Sequence, residues 1–137
     1  MIYAIDTNIL SFLLRPNKNP EIVERFEHII EQGCHYVIPP LCYYEISWYL
    51  IRKKAPIQTR VLNNLLTNSI STLQMREEDF TTAAKIKAYL MNRGTPIGKK
   101  DGDIFIASHC IVNDYTLVTD NTKDFARIDG LKFINWK

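Results

Sequence analysis

The sequence predicts an α/β fold of three layers, α/β/α, in which helices cover both faces of a central, mainly parallel sheet. Three observations carry that expectation. Short apolar segments of strand length alternate with longer segments of helical period from one end of the chain to the other. Helix stops and starts fall between them, at Gly33, at the Pro39-Pro40 pair and at Gly94. No stretch rich in Pro, Gly or Ser divides the 137 residues, so a single domain over 1–137 is expected.

Residues 2–5 (Ile-Tyr-Ala-Ile) read as a first buried strand. After a turn at Asp6-Thr7-Asn8, residues 9–14 predict a short helix ending before Pro16, since the residue ahead of a proline resists helical geometry. Over 21–32 the apolar positions Ile22, Val23, Phe26, Ile29 and Ile30 recur at helical spacing, and Gly33 stops the helix. Residues 36–38 form a second strand, and the proline pair opens a helix over about 41–54. A further helix covers 57–67 with Val61, Leu62, Leu65 and Leu66 inward, and 69–73 predicts a third strand. Asp79 lies in the acidic opening of a helix that carries Phe80, Ala83, Ala84, Tyr89 and Leu90 and stops at Gly94. A loop over 95–100, a long helix over 101–112, a strand over 115–119 and a closing edge strand over 131–134 complete the chain.

Composition narrows the class. Apolar residues make up 46% of the chain and charged residues 23%, as in ordinary globular proteins and unlike disordered ones. No apolar run approaches the roughly 20 residues needed to cross a bilayer. Asp6 interrupts the N-terminal apolar run before the core of a signal peptide could form, so a soluble, cytoplasmic protein is expected. Cys34, Cys42 and Cys110 are widely spaced and form no Cys-x-x-Cys pair, which argues against a disulfide framework or a zinc knuckle. A net charge of +2 is too small to mark a nucleic-acid binder by bulk electrostatics, so any such contact must come from local patches.

The acidic residues carry the chemistry. In a parallel sheet, function gathers where the strands end and helices begin. Asp6 follows the first strand; Asp120, Asn121 and Asp124 follow the strand over 115–119; Glu45 lies one turn into the helix after the second strand; Asp101 and Asp103 open the last long helix. Four segments thus offer carboxylates to one edge. Carboxylates crowded together raise one another's pKa, and a divalent cation removes that penalty. Oxygen-only donors point to Mg²⁺ or Mn²⁺ rather than zinc, and such an ion activating water beside a phosphate implies phosphodiester hydrolysis. A plainer role stays open for each: Asp6 or Asp103 as an N-cap worth about 1 kcal/mol, Asp124 as a surface acid or cap. Glu45 sits among Tyr44, Ile46, Trp48 and Tyr49, so it is expected to be partly enclosed and to need a partner.

With these residues in hand, the sequence resembles the PIN-domain family, and within it the VapC-type toxins of bacterial toxin–antitoxin pairs, over nearly the whole chain. The resemblance rests on Asp6-Thr7-Asn8 after an N-terminal strand, Glu45-Ile46, Asp103 followed by Ile106-Ala107, and Leu117-Val118-Thr119-Asp120-Asn121 leading to Asp124-Phe125. It implies that Asp6, Glu45 and Asp103 are the core metal-binding acids, with Asn8 and Thr119 as polar supports. Asp124 ranks first as fourth acid, ahead of Asn121 and Asp120. Asp101 is an alternative to Asp103 because of its distance from Ile97-Gly98, whereas the helix register favours Asp103. The implied activity is a metal-dependent endoribonuclease selective for single-stranded or structured RNA, with Mg (or Mn) as cofactor and transfer RNA as foremost substrate, ahead of ribosomal or messenger RNA. The implied partners are an antitoxin protein covering the active-site groove and a second copy in a homodimer.

Arg15, Lys18, Arg52, Lys53, Lys54, Lys99 and Lys100 are candidate phosphate contacts, against the plain reading of a solvated lysine face. Tyr43, Tyr44, Trp48 and Tyr49 could stack bases or grip an antitoxin helix, with core or dimer packing the leading role for most of them. His28, His35 and His109 are assigned surface or packing roles. A phosphotransfer domain with Asp6 as nucleophile is disfavoured by Asn8, Thr119 and Asp120 at the positions where such domains carry Asp or Lys. The remaining rival is a non-catalytic module of the same fold that binds RNA or protein.

Overall fold

The computed structural model describes residues 1–15, 17, 19–98 and 101–137. Its strands are β1 (Ile2–Ile5), β2 (His35–Val37), β3 (Thr116–Val118) and β4 (Lys132–Ile134). They form one sheet in the order β2-β1-β3-β4, with every pairing parallel. The helices are α1 (Thr7–Leu14), α2 (Pro20–Glu31), α3 (Pro40–Lys53), α4 (Pro56–Asn68), α5 (Glu77–Asn92), α6 (Gly102–Asn113) and α7 (Thr122–Phe125), and the whole is the expected three-layer arrangement. Strands inside a parallel sheet are covered on both faces, and the two central strands show it: Ala4, Ile5, Leu117 and Val118 are fully buried.

The strand order has a functional consequence. From β1 the chain moves outward to β2, then returns past β1 to lay β3 on its other side. The connections therefore diverge between β1 and β3, and a crevice at the carboxyl ends of those two strands is where this topology leaves room for a ligand. Asp6 and Thr119 immediately follow β1 and β3.

Most element boundaries match the sequence reading, and the departures have physical causes. Helix α1 begins at Thr7, two residues earlier than expected, because the Asp6 side chain accepts the Thr7 backbone N–H at 2.8 Å and caps the helix at once. Gly33 and Gly94 do end α2 and α5, with φ of +76° and +69° that side-chain-bearing residues rarely adopt. No strand forms over 69–73. Ile70 N–H donates to Tyr36 O at 3.0 Å, but the next rung is lost because the Thr72 hydroxyl, not its backbone, reaches Ile38 O. One rung does not make a ladder, and the segment runs beside β2 as irregular chain.

Helix α5 turns its buried side through Asp79, Ala83, Ile86 and Leu90, leaving Phe80, Ala84 and Tyr89 exposed. On α3 the buried residues are Cys42, Ile46 and Leu50, whereas Tyr44, Trp48 and Tyr49 face solvent. Of the core or dimer packing expected for those aromatics, core packing is therefore not their role within this chain.

Candidate active site

The crevice between β1 and β3 is lined by carboxylates. Asp6 lies at its floor, 4% exposed, with both oxygens engaged. One accepts the Thr7 backbone N–H and lies 3.6 Å from the Cys42 thiol, which donates to it; the other accepts the Thr119 hydroxyl at 2.7 Å and the Asn8 side-chain amide at 3.3 Å. The Thr119 bond spans the switch point directly. Burial raises the Asp6 carboxyl above its ordinary range, opposed by these hydrogen bonds, and the nearby charge of Asp120 adds to the rise.

Glu45 enters from α3. It is half-buried and accepts the Thr7 hydroxyl at 2.8 Å, so the partner its apolar surroundings called for comes from the residue after Asp6. Thr7 thereby ties two acids together, one through its backbone and one through its side chain. Asp103, in the first turn of α6, accepts the Asn121 side-chain amide at 3.1 Å. It makes no cap: the residue at the N-cap position is Asp101, whose side chain makes no capping bond. Burial, and then the charges of Asp6, Glu45 and Asp124, push the Asp103 carboxyl up to about 6. Those causes agree with the lining that Asp6, Glu45 and Asp103 share, because charges act on one another in this way only across a poorly screened space.

The cleft holds about 400 Å³ and is lined by Asp6, Thr7, Asn8, Ser11, Glu45, Ile46, Trp48, Tyr49, Asp103 and Asn121. Asp124, on α7, is half-buried and adds its charge from the rim, with Arg127 4.0 Å away. Asn121 braces the site at two points, through its bond to Asp103 and through its backbone N–H to the Thr119 hydroxyl at 3.0 Å. Asp120 gives its backbone N–H to Asn8 and turns its carboxylate to Lys137 at 3.0 Å. Asp101 is turned away altogether, paired with Lys87 at 2.8 Å in an exposed contact. Among the described residues, no group of three acidic, histidine or cysteine side chains is spaced to hold an ion as it stands. The acids surround the cleft, with Asp6, Glu45 and Asp103 held by neutral donors.

The basic candidates are less concentrated. Arg15 lies over the Phe12 ring and Lys53 over the Tyr49 ring, both exposed. Lys18, Lys99 and Lys100 lie outside the described residues. His109 is the histidine that departs from a plain surface role: it is buried against Asp79, between α5 and α6 and away from the cleft. Sequence reading missed three contributors to the site, Thr7, Ser11 and Cys42. Thr7 sat inside a quoted motif, and Ser11 follows Asn8 at helical spacing, so a capped α1 starting at Asp6 would have pointed to both.

A parallel sheet whose switch point is walled by acids from four separate segments defines a class of α/β acid-site domains, and the family can be stated. The chain belongs to the PIN domain family, whose model matches residues 3–131. It is similar to a protein named tRNA(fMet)-specific endonuclease VapC from Shigella flexneri, with 28% identity over 134 residues, 98% of this chain and 97% of the relative. It is similar also to Ribonuclease VapC2 of Rickettsia felis, 26% identical over 136 residues, 99% of this chain and 98% of that protein. A crystal structure of VapBC2 from Rickettsia felis bound to a promoter DNA fragment superposes with a TM-score of 0.87 at 25% identity, covering all of both chains. Among the described residues no helix is long and apolar enough to cross a membrane.

Proposed function

We propose that this protein is a divalent-metal-dependent endoribonuclease and the toxin half of a toxin–antitoxin pair. The observation that carries the reading is the convergence of Asp6, Glu45 and Asp103 on one cleft, with the Asp103 carboxyl raised to about 6 by burial and by the other acids. The donor set fits a hard cation: carboxylates from four segments, no thiolate or imidazole facing them among the described residues, and, for Asp6, Glu45 and Asp103, charge that the neutral donors orient without cancelling. Asp6, Glu45 and Asp103 would hold the ion, and Asp124 would join from the rim. When bound, Mg²⁺ or Mn²⁺ supplies a lowered pKa for an attacking water and a counter-charge for the leaving oxygen.

The chain's own residues do the rest. Thr119, Asn8 and Thr7 hold the Asp6 carboxylate at the floor, Thr7 fixes Glu45, and Asn121 aims Asp103 across the cleft. Such orienting partners typically change metal affinity or activity by roughly 10- to 100-fold. Cys42, whose thiol is held well above its ordinary pKa by burial and the Asp6 charge, stays protonated and serves only as a weak donor to Asp6.

Relatives named as ribonucleases over nearly the full length support RNA as substrate, and the Shigella flexneri relative's name favours transfer RNA. The VapBC complexes among the structural neighbours support an antitoxin partner, and a cytoplasmic homodimer enters the proposal on the family resemblance alone. The test is cleavage of a labelled RNA by purified protein with Mg²⁺. Asp6→Asn should lower the rate by roughly 1,000-fold or more, about 4 kcal/mol of barrier, with the fold intact because Asn also caps helices well. EDTA should abolish cleavage by the wild type, and restored Mg²⁺ should recover it. Cleavage unaffected by EDTA or by Asp6→Asn overturns the reading.

A further inference from the structure

The acids do not account for the whole cleft. Trp48 and Tyr49 also line it, 47% and 44% exposed, and neither takes part in the carboxylate network described above. They follow Glu45 on α3 by three and four residues, the spacing that puts side chains on one helical face. Arg52 and Lys53, exposed, extend the same face by another turn, about 10 Å from Glu45 along the helix axis. One line along α3 thus presents a metal-binding carboxylate, then two rings, then two cations.

We infer that this line is a strand-binding track in which Trp48 is the platform for one unpaired nucleobase next to the scissile phosphate. The inference rests on the nuclease reading and specifies its substrate as RNA with a base free to leave its stack. The two rings meet edge to face, 6.4 Å between centroids and 77° between planes, so they do not stack on each other. Lys53 Nζ stands 5.9 Å over the Tyr49 ring, and among the described residues no cation stands over Trp48. The indole face is therefore the one offered to a ligand. Large half-exposed rings are poorly accommodated by water, and a flat base is the complementary surface. An antitoxin segment covering the groove would meet the same rings, but it does not require the succession from acid to ring to cation along one helical face. A nucleic-acid strand needs all three chemistries, in this succession. In a duplex the base faces are already stacked, so the platform selects unpaired RNA.

The test uses the full chain and short single-stranded RNA oligomers, with one abasic nucleotide moved along the sequence and binding read by fluorescence anisotropy alongside cleavage. One abasic position should weaken wild-type binding roughly 10- to 100-fold, the usual range for losing one base–aromatic stack. Trp48→Ala should lose the same factor on the intact oligomer and nothing more on the abasic one, while Trp48→Phe recovers most of the loss. Circular dichroism confirms that the variants are folded. Intact binding by folded Trp48→Ala, or additive rather than shared losses, overturns the platform while the nuclease reading stands. Wild-type protein that neither binds nor cuts RNA overturns both. A Trp48→Ala variant that handles RNA normally but no longer associates with a partner protein assigns the rings to protein docking instead.

Discussion

The protein encloses acidic side chains in two places and treats them in opposite ways. In the cleft, Asp6, Glu45 and Asp103 are answered by a thiol, hydroxyls, amides and one backbone N–H, none of which carries a positive charge. Between α5 and α6, Asp79 is fully buried and faces the ring of His109, 3.4 Å from oxygen to nitrogen, while its second oxygen accepts the Arg76 backbone N–H at 2.8 Å. Arg76 closes over this pair by donating to Asn113, which in turn donates to the His109 carbonyl. An acid given an ionisable partner within the chain serves the fold. Acids gathered without one among the described residues are left for a charge from outside, and the contrast separates a structural carboxylate from a functional one better than burial does.

The largest expected effect that probes the contrast is on stability. Asp79→Ala removes the helix-opening acceptor for Arg76 and strands a buried imidazole, a type of loss that costs about 3 kcal/mol and lowers the melting temperature by roughly 10 °C. Cleavage per folded molecule should not change. The pair is itself incompletely satisfied, since Asp79 Oδ1 and His109 Nε2 lack hydrogen-bond partners among the described residues. Replacing both with apolar residues of similar size should therefore recover most of the loss. Thermal unfolding of the single and double variants measures this, and a cleavage defect in folded Asp79→Ala would break the division between the two regions.

A smaller effect separates the regions by pH. Burial lowers the His109 pKa, with Asp79 opposing, so the unfolded chain binds the proton better; stability through this group is lost as pH falls below its unfolded value of 6.5. Asp103 runs the other way. Its folded pKa of about 6 lies above the ordinary 3.8, so the folded chain binds the proton better, and stability through this group falls as pH rises from 3.8 through 6. Without divalent metal, Asp103→Asn should therefore raise the melting temperature at pH 7.5, with the gain shrinking through pH 6 and gone near pH 4. Mg²⁺ should stabilise the wild type at pH 7.5 and stabilise Asp103→Asn less. A gain that is constant with pH would mean that Asp103 feels no excess charge.

These regions were not equally legible in the sequence. The acids of the cleft could be named because a parallel sheet brings every strand's carboxyl end to one edge, so position along the chain already implies position in space for Asp6 and for the residues after β3. The bond from Thr7 to Glu45 and the bracing of Asp103 by Asn121 could not be read, since each joins segments 38 and 18 residues apart through side-chain orientation alone. The Asp79–His109 pair was hidden for the same reason: apolar spacing marks a helix without fixing which side it buries, and α5 turned Asp79 inward and Phe80 outward. Helix α7 has four residues, too few for any period to show.

The smallest expected effect is the most discriminating for the register of α6. Asp101 and Asp103 are two residues apart at the start of one helix, and spacing to neighbouring motifs could favour either as the working acid. Two residues on a helix turn by about 200°, so the two side chains cannot serve the same cleft. Asp103 meets Asn121, whereas Asp101 meets Lys87 with both partners about half exposed, a type of pair worth roughly 0–1 kcal/mol. Asp101→Asn should therefore leave the cleavage rate within about twofold of wild type and move the melting temperature by no more than a few degrees. If Asp101→Asn instead lost cleavage on the scale of Asp6→Asn, the acid facing the cleft would be Asp101, and α6 would have to be rotated by half a turn relative to the sheet.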